Sequence, residues 1–262
     1  MKPELLYEYI TLRHNEHTVH SMCRVLHVSE SGYYRRRIQL ALEQRGIRVS
    51  FSGVRRAMKR GGLLKSAPHR ANSLTRADAA AQKAENLIQR DFSAQMPNQK
   101  WLTDITQVPC ADGKLYVAAV LDCYNGEIIG LAMDNNMRKE LCIHAFCSAC
   151  QAQGASGMIL HSDRGSQFTS ADFRKVLARY GAVQSMSGTG RCYDNARMES
   201  FFATLKKEKL YQLHTEKLPM AQVKSVVFRY IMTYYNRQRI YTANPGGLPP
   251  VMFRQAARGL AA

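Results

Sequence analysis

The chain has 262 residues, 45% of them hydrophobic and 22% charged, which is globular usage and excludes a disordered polymer. It is long enough for two domains at about 100 to 200 residues each. Apolar runs such as Leu115–Leu121 fall far short of the about 20 residues a membrane span requires. Glu4, Glu8 and Glu16 interrupt the N-terminus where a secretion signal would be apolar, so the expected compartment is the cytoplasm, with no membrane partner and the seven cysteines reduced. The formal charge is +17, and residues 1–76 hold 15 Lys and Arg against 5 Asp and Glu. Such a concentration of cations predicts a polyanionic partner, because each neutralised phosphate releases a condensed counterion.

Residues 1–65 read as helical. VHSMCRVLHV is followed by Ser29 at an N-cap position and by SGYYRRR. RIQLALEQRG then breaks at Gly46, and FSGVRRAMKRGG resumes behind Ser50. Two helix pairs of this kind, with arginines on the second member, match the helix-turn-helix pattern, which small helical bundles also show. Arg35, Arg36, Arg37, Arg55 and Arg56 are the candidate DNA contacts. Residues 66–97, rich in Ala, Ser, Arg and Asn, read as a linker. From residue 98 to 262 the period changes. KWLTDITQV, KLYVAAVLDCY and EIIGLAMDN predict an antiparallel meander. A helix ending at Gly154, the strand MILHSD, a helix between Ser170 and Gly181, the strand AVQSMS and the long helix NARMESFFATLKKEKLYQL follow. This order predicts an α/β fold, a mixed sheet flanked by helices, preceded by an all-α region.

Three carboxylates occupy positions that such an order brings together: Asp104 inside the first strand, Asp163 at the end of MILHSD, and Glu199 one turn into the long helix. A carboxylate in a buried strand is costly unless something compensates it. Mg²⁺, which takes oxygen ligands, is the natural partner, and two such ions would serve in-line displacement at phosphorus. Lys206, two helical turns beyond Glu199, shares its face and is placed to meet phosphate.

WLTDIT, HSDRGSQFTS and GRCYDNARMESFFATLKKE resemble the three acidic motifs of insertion-sequence transposases, whose DDE catalytic core is shared with retroviral integrases. Asp163 and Glu199 are separated by 35 residues, and Lys206 stands seven positions after Glu199. The resemblance implies an RNase H-like core and Mg²⁺ or Mn²⁺ dependence, with two ions held by Asp104, Asp163 and Glu199. It implies strand cleavage followed by 3′-hydroxyl strand transfer at the element ends. It also implies partners: double-stranded DNA as terminal inverted repeats and target, a first-frame protein or frameshift fusion, and further copies of the chain assembled on DNA. The N-terminal third departs from the family. GYYRRRIQLALEQRG runs directly between two helices that relatives separate by some tens of residues, so the region reads as shortened. The alternative is therefore an inactive truncated relic that binds transposon ends, and a further rival is a nuclease that cuts without joining.

Neighbouring residues have plainer roles in view. His161 is either an active-site neighbour or a satisfied core histidine. Asp194 and Asn195 are placed to cap the helix that bears Glu199, and Asp122 is read as structural. His14, His17, His20, Cys23 and His27 cluster, but structural zinc of that type needs a second cysteine pair. Cys142, Cys147 and Cys150 are read as core. The YNRQR stretch carries Tyr241 where the family usually has histidine.

Overall fold

The computed structural model describes residues 3–13, 17–61, 84–154, 156–188 and 192–259. The chain divides into two compact units, one made of residues 1–67 with 235–262 and the other of residues 68–234. Residues from 235 onward, which the sequence places with the sheet, thus group with the N-terminal helices. No helix among the described residues is long and apolar enough to cross a membrane.

In the first unit, α1 (Pro3–Arg13), α2 (Val19–Val25), α3 (Glu30–Glu43) and α4 (Phe51–Arg60) pack around Tyr7, Ile10, Met22, Cys23 and Tyr33. Thr18, Ser29 and Ser50 each accept a backbone N–H of the following helix, a cap worth about 1 kcal/mol apiece. The two segments SGYYRRR and RIQLALE, expected to belong to separate helix pairs, form the single helix α3. Nothing between them breaks a helix, and the chain turns only at Gly46, where φ is +75°. Gly32 lets α1 approach α3, since a Cβ there would lie 2.0 Å from the Tyr7 hydroxyl. The C-terminal segment is fastened to α3 by Arg37 Nη2 donating to the Ile240 carbonyl (2.9 Å) and Gln44 Nε2 to the Gly246 carbonyl (2.9 Å). Tyr241 is buried with its ring edge-on to Tyr235, so the residue in the family's histidine position is a packing residue. Cys23 is buried in the core and His20 pairs with Glu30.

The second unit is built on β1 (Lys100–Cys110), β2 (Gly113–Asp122) and β3 (Ile128–Asp134), an antiparallel meander, with β4 (Ile159–Ser162) parallel to β1 and β5 (Val183–Met186) parallel to β4. The sheet order is β3-β2-β1-β4-β5. Because side chains alternate along a strand, Trp101 and Ile105 face one side. There they join Phe146, Cys142 and Cys150 of α5 (Lys139–Gln153), Phe168 of α6 (Ser166–Thr169) and Phe173 of α7 (Ala171–Arg179) in the main core. Leu102 and Asp104 face the other side, where α8 (Ala196–Glu208) lies against β1. Gly130 brings β3 against α5, its missing Cβ being 2.3 Å from the Ala145 carbonyl. After α8, α9 (Met220–Arg229) leads into a π-helical turn, Tyr230–Tyr235, whereas α10 (Pro250–Gly259) belongs to the first unit.

The expected linker lies partly outside the described residues, at 66–83. Its remainder is not a linker. Ile88 and Phe92 are buried, the Glu85 carbonyl accepts Met186 N–H (3.1 Å), and Leu87 N–H donates to Ser185 Oγ (2.9 Å). Its few large apolar residues, Leu87, Ile88, Phe92 and Met96, are too sparse to set a strand or helix period, which is why the sequence conceals this docked strap.

Candidate active site

The parallel pairing of β1 and β4 matches Leu102 with His161. Asp163 follows the end of β4 at Ser162, close enough to Asp104 for its charge to act on that carboxyl. By strand alternation the Asp104 carboxylate leaves the sheet on the α8 side. Asp104 Oδ1 accepts the Ile105 N–H (2.8 Å), and Asp163 Oδ1 accepts the Gly165 N–H (2.9 Å), which shapes the turn into α6. Cross-strand from Asp104 stands Ala119, a side chain too small to cover it. Glu199 occupies the first turn of α8 and reaches solvent; Lys206, on the same helix face, is half-buried.

These groups share one electrostatic field. Burial first, then repulsion from Asp163 and Glu199, pushes the Asp104 carboxyl up to about 8 despite the Ile105 N–H and Lys206, which oppose it. Desolvation also raises Glu199 and lowers Lys206, whose charge Asp104 supports. Among the described residues, however, no three His, Cys, Asp or Glu side chains form a ready metal-holding group. Asp104 and Asp163 are brought together, and Glu199 joins them through the field rather than as a third member of a closed cluster. The donor set fits a hard divalent cation, being carboxylate oxygen alone.

His161 is a satisfied core histidine. It is fully buried, with Nδ1 2.8 Å from Ser185 Oγ and Nε2 3.2 Å from Ser187 Oγ, and desolvation lowers it to about 4. Ser187 Oγ donates to the Ser162 carbonyl and Ser185 Oγ accepts the Leu87 N–H. Asp194 is a further partner, its backbone hydrogen-bonding the ring and its charge opposing the desolvation. Asp122, also fully buried, receives the Asn98 and Tyr124 N–H groups and holds the turn before β1.

The capping expected of Asn195 does not occur. Asp194 is buried and accepts from Asn86 Nδ2 (2.9 Å), Arg90 Nε (2.8 Å) and Gly188 N–H (2.9 Å), tying the strap to the approach to α8. Asn195 sits at the N-cap position but makes no side-chain cap bond; its Nδ2 donates to the Thr103 carbonyl (3.2 Å). Sequence reasoning also passed over Arg197, whose buried guanidinium donates from Nη1 to the Phe92 (2.8 Å) and Cys123 (2.7 Å) carbonyls. A charged residue on an otherwise apolar face of α8 was the one available signal.

The five candidate DNA-contacting arginines separate into two groups. Arg37 is engaged with the Ile240 carbonyl. Arg35 stacks over the Phe51 ring at 4.5 Å and bonds the Ser31 carbonyl; Arg36 bonds Gln39 and lies 3.6 Å from Glu43. Arg55 and Arg56 are exposed on α4 beside exposed Lys59 and Arg60.

The family model of the integrase core domain matches residues 94–192 and 199–257. The chain is 36% identical over 220 residues to the transposase for insertion sequence element IS904 of Lactococcus lactis subsp. lactis (strain IL1403), covering 83% of this chain and 86% of that one. It is 36% identical over 241 residues to the insertion element IS600 uncharacterized 31 kDa protein of Shigella sonnei, covering 91% and 88%. Transposase InsF for insertion sequence IS3A of Escherichia coli (strain K12) is 31% identical over 283 residues, covering 94% and 97%. That last alignment is longer than the present chain, so this relative holds residues that have no counterpart here. Among solved structures, the HTLV-2 integrase catalytic core domain in complex with magnesium (trimeric form) is similar at a TM-score of 0.46 and 19% identity, covering 62% of this chain and 99% of that one.

Proposed function

Since the chain belongs to the integrase-core family of insertion-sequence transposases, we propose that it is a DNA transposase with Asp104, Asp163 and Glu199 as its catalytic residues. The observation that carries this reading is the coupling of these three carboxylates, from β1, the end of β4 and α8, beside Lys206. In the first step the oxygen of water attacks a phosphodiester at the element end, and the 3′-oxygen leaves. In the second, the freed 3′-hydroxyl attacks a target phosphodiester, whose own 3′-oxygen is displaced.

Asp104, Asp163 and Glu199 would hold Mg²⁺ or Mn²⁺, as two ions on this reading. Such cations, when bound, make the attacking oxygen a better nucleophile and stabilise charge on the leaving oxygen. Lys206, with its ammonium half-desolvated on the same side, meets a DNA phosphate. The exposed Arg55 and Arg56 of α4 contact the phosphates of the terminal repeats, with Arg35 and Arg36 nearby on α3. The partners are double-stranded DNA, a first-frame protein or fusion, and further copies of the chain.

The test is a cleavage and joining assay on labelled DNA carrying the repeats that flank the gene, with Mg²⁺ or Mn²⁺. The wild type should yield joined products, Asp163→Asn none, and Lys206→Gln at least tenfold fewer. Cut DNA without joined product would identify a nuclease. End binding without metal-dependent cutting would leave the relic reading in its place.

A further inference from the structure

We infer that Asn195 is a positioning residue for this chemistry, holding the start of α8 against β1 and thereby setting Glu199 relative to Asp104; the inference rests on the proposed transposase reading. Asn195 is 4% exposed and lies one helical turn before Glu199. An asparagine at a helix N-cap normally turns its side chain onto the N–H groups of its own helix. Here the side chain faces the other way, and its Nδ2 bonds the carbonyl of Thr103, the residue immediately before Asp104. The parallel ladder between β1 and β4 stops at the Leu102–His161 pair, so the amide supplies a bond just beyond the point where strand pairing ends.

The other end of the amide points to the same conclusion. Asn195 Oδ1 is buried and accepts no hydrogen bond from any described group. An unsatisfied buried acceptor and an abandoned cap both weigh against stability, and buried polar groups left in this state call for a functional reason. Asp194, the residue before, is secured separately by the strap. The two neighbours therefore divide the work: Asp194 holds the approach to α8 and Asn195 joins the two elements that carry catalytic carboxylates.

The experiment compares the full wild-type chain with Asn195→Ala, Asn195→Asp and Asn195→Gln. Asn195→Asp keeps the shape but has no N–H to offer and turns an oxygen toward the Thr103 carbonyl. Three readouts are taken: hydrogen exchange of the first two turns of α8, Mn²⁺ uptake followed by electron paramagnetic resonance, and cleavage of end DNA resolved into kcat and KM. The Ala and Asp variants should exchange at least tenfold faster in α8, require at least fivefold more Mn²⁺, and lose at least tenfold in kcat with KM within twofold. Asn195→Gln, which keeps the donor, should recover part of each loss. Unchanged exchange and unchanged Mn²⁺ demand would overturn the inference. So would a lowered Tm with kcat per folded molecule unchanged, the mark of a merely structural residue. A wild type that neither takes up Mn²⁺ nor cleaves would refute the transposase reading instead, and hydrogen exchange would still decide whether Asn195 tethers α8.

Discussion

Replacing Asp104 by Asn should stabilise the metal-free protein at alkaline pH while abolishing its chemistry. The folded-state carboxyl stands at about 8, against about 3.9 in an unfolded chain. The folded chain therefore keeps a proton that the unfolded chain has released between about pH 4 and pH 8. The stability this contributes is complete below about pH 4 and is lost as pH rises through about 8. At about 1.4 kcal/mol for each pH unit, one fully coupled carboxyl would cost roughly 3 kcal/mol between pH 5.5 and 8. Because this side chain still meets solvent, roughly 1.5 to 3 kcal/mol is expected. His161, lowered to about 4, works in the opposite direction below about pH 6.5, but it is present in both proteins and cancels in the comparison. The assay is urea unfolding in EDTA at pH 5.5, 7 and 8, followed by fluorescence of Trp101, the one tryptophan of the chain and fully buried in the sheet unit. The wild type should lose that much more stability than Asp104→Asn over the range, and added Mn²⁺ at pH 8 should narrow the gap by stabilising the wild type alone. Equal pH slopes in the two proteins would refute the reasoning.

Arg197→Ala removes the donor to the Phe92 and Cys123 carbonyls and should cost about 2 to 4 kcal/mol in urea titration, with Lys recovering less than half. Gly130→Ala places a methyl against the Ala145 carbonyl and Ala149; a fall of about 1 to 3 kcal/mol in the same titration is expected. Arg55→Ala with Arg56→Ala should weaken DNA binding and reduce the slope of log affinity against log salt by about 2. Arg37→Ala should leave that slope unchanged and instead loosen residues 235–248, visible as faster hydrogen exchange there, because its guanidinium holds the Ile240 carbonyl.

Strong local signals in the sequence account for most of the sheet unit. Period-two alternation with short turns between gave β1 to β3, Ser170 and Gly181 bracketed α7, and Gly154 ended α5 in the left-handed conformation. The three acidic positions and Lys206 were legible because their spacing is carried by linear motifs. The extent of α3 was open to misreading, since capping signals mark where a helix can start and do not require it to stop. The direction of Asn195 was not legible at all: an asparagine at the head of a helix reads as a cap, and only the carbonyl of Thr103 across the interface draws it away.

By itself, then, the sequence determined which residues alternate, which ones cap and turn, and where along their elements the three carboxylates stand. These are properties of neighbours along the chain, and period and propensity express them directly. Tertiary structure alone decided that residues 84–99 strap the sheet, that the segment after residue 235 joins the N-terminal helices, and that Arg37 and Arg197 spend their charge on backbone carbonyls. Each of these depends on a carbonyl or a hydrophobic face contributed from tens to some two hundred residues away. A buried polar group takes whichever partner the fold presents, and no local pattern encodes that choice.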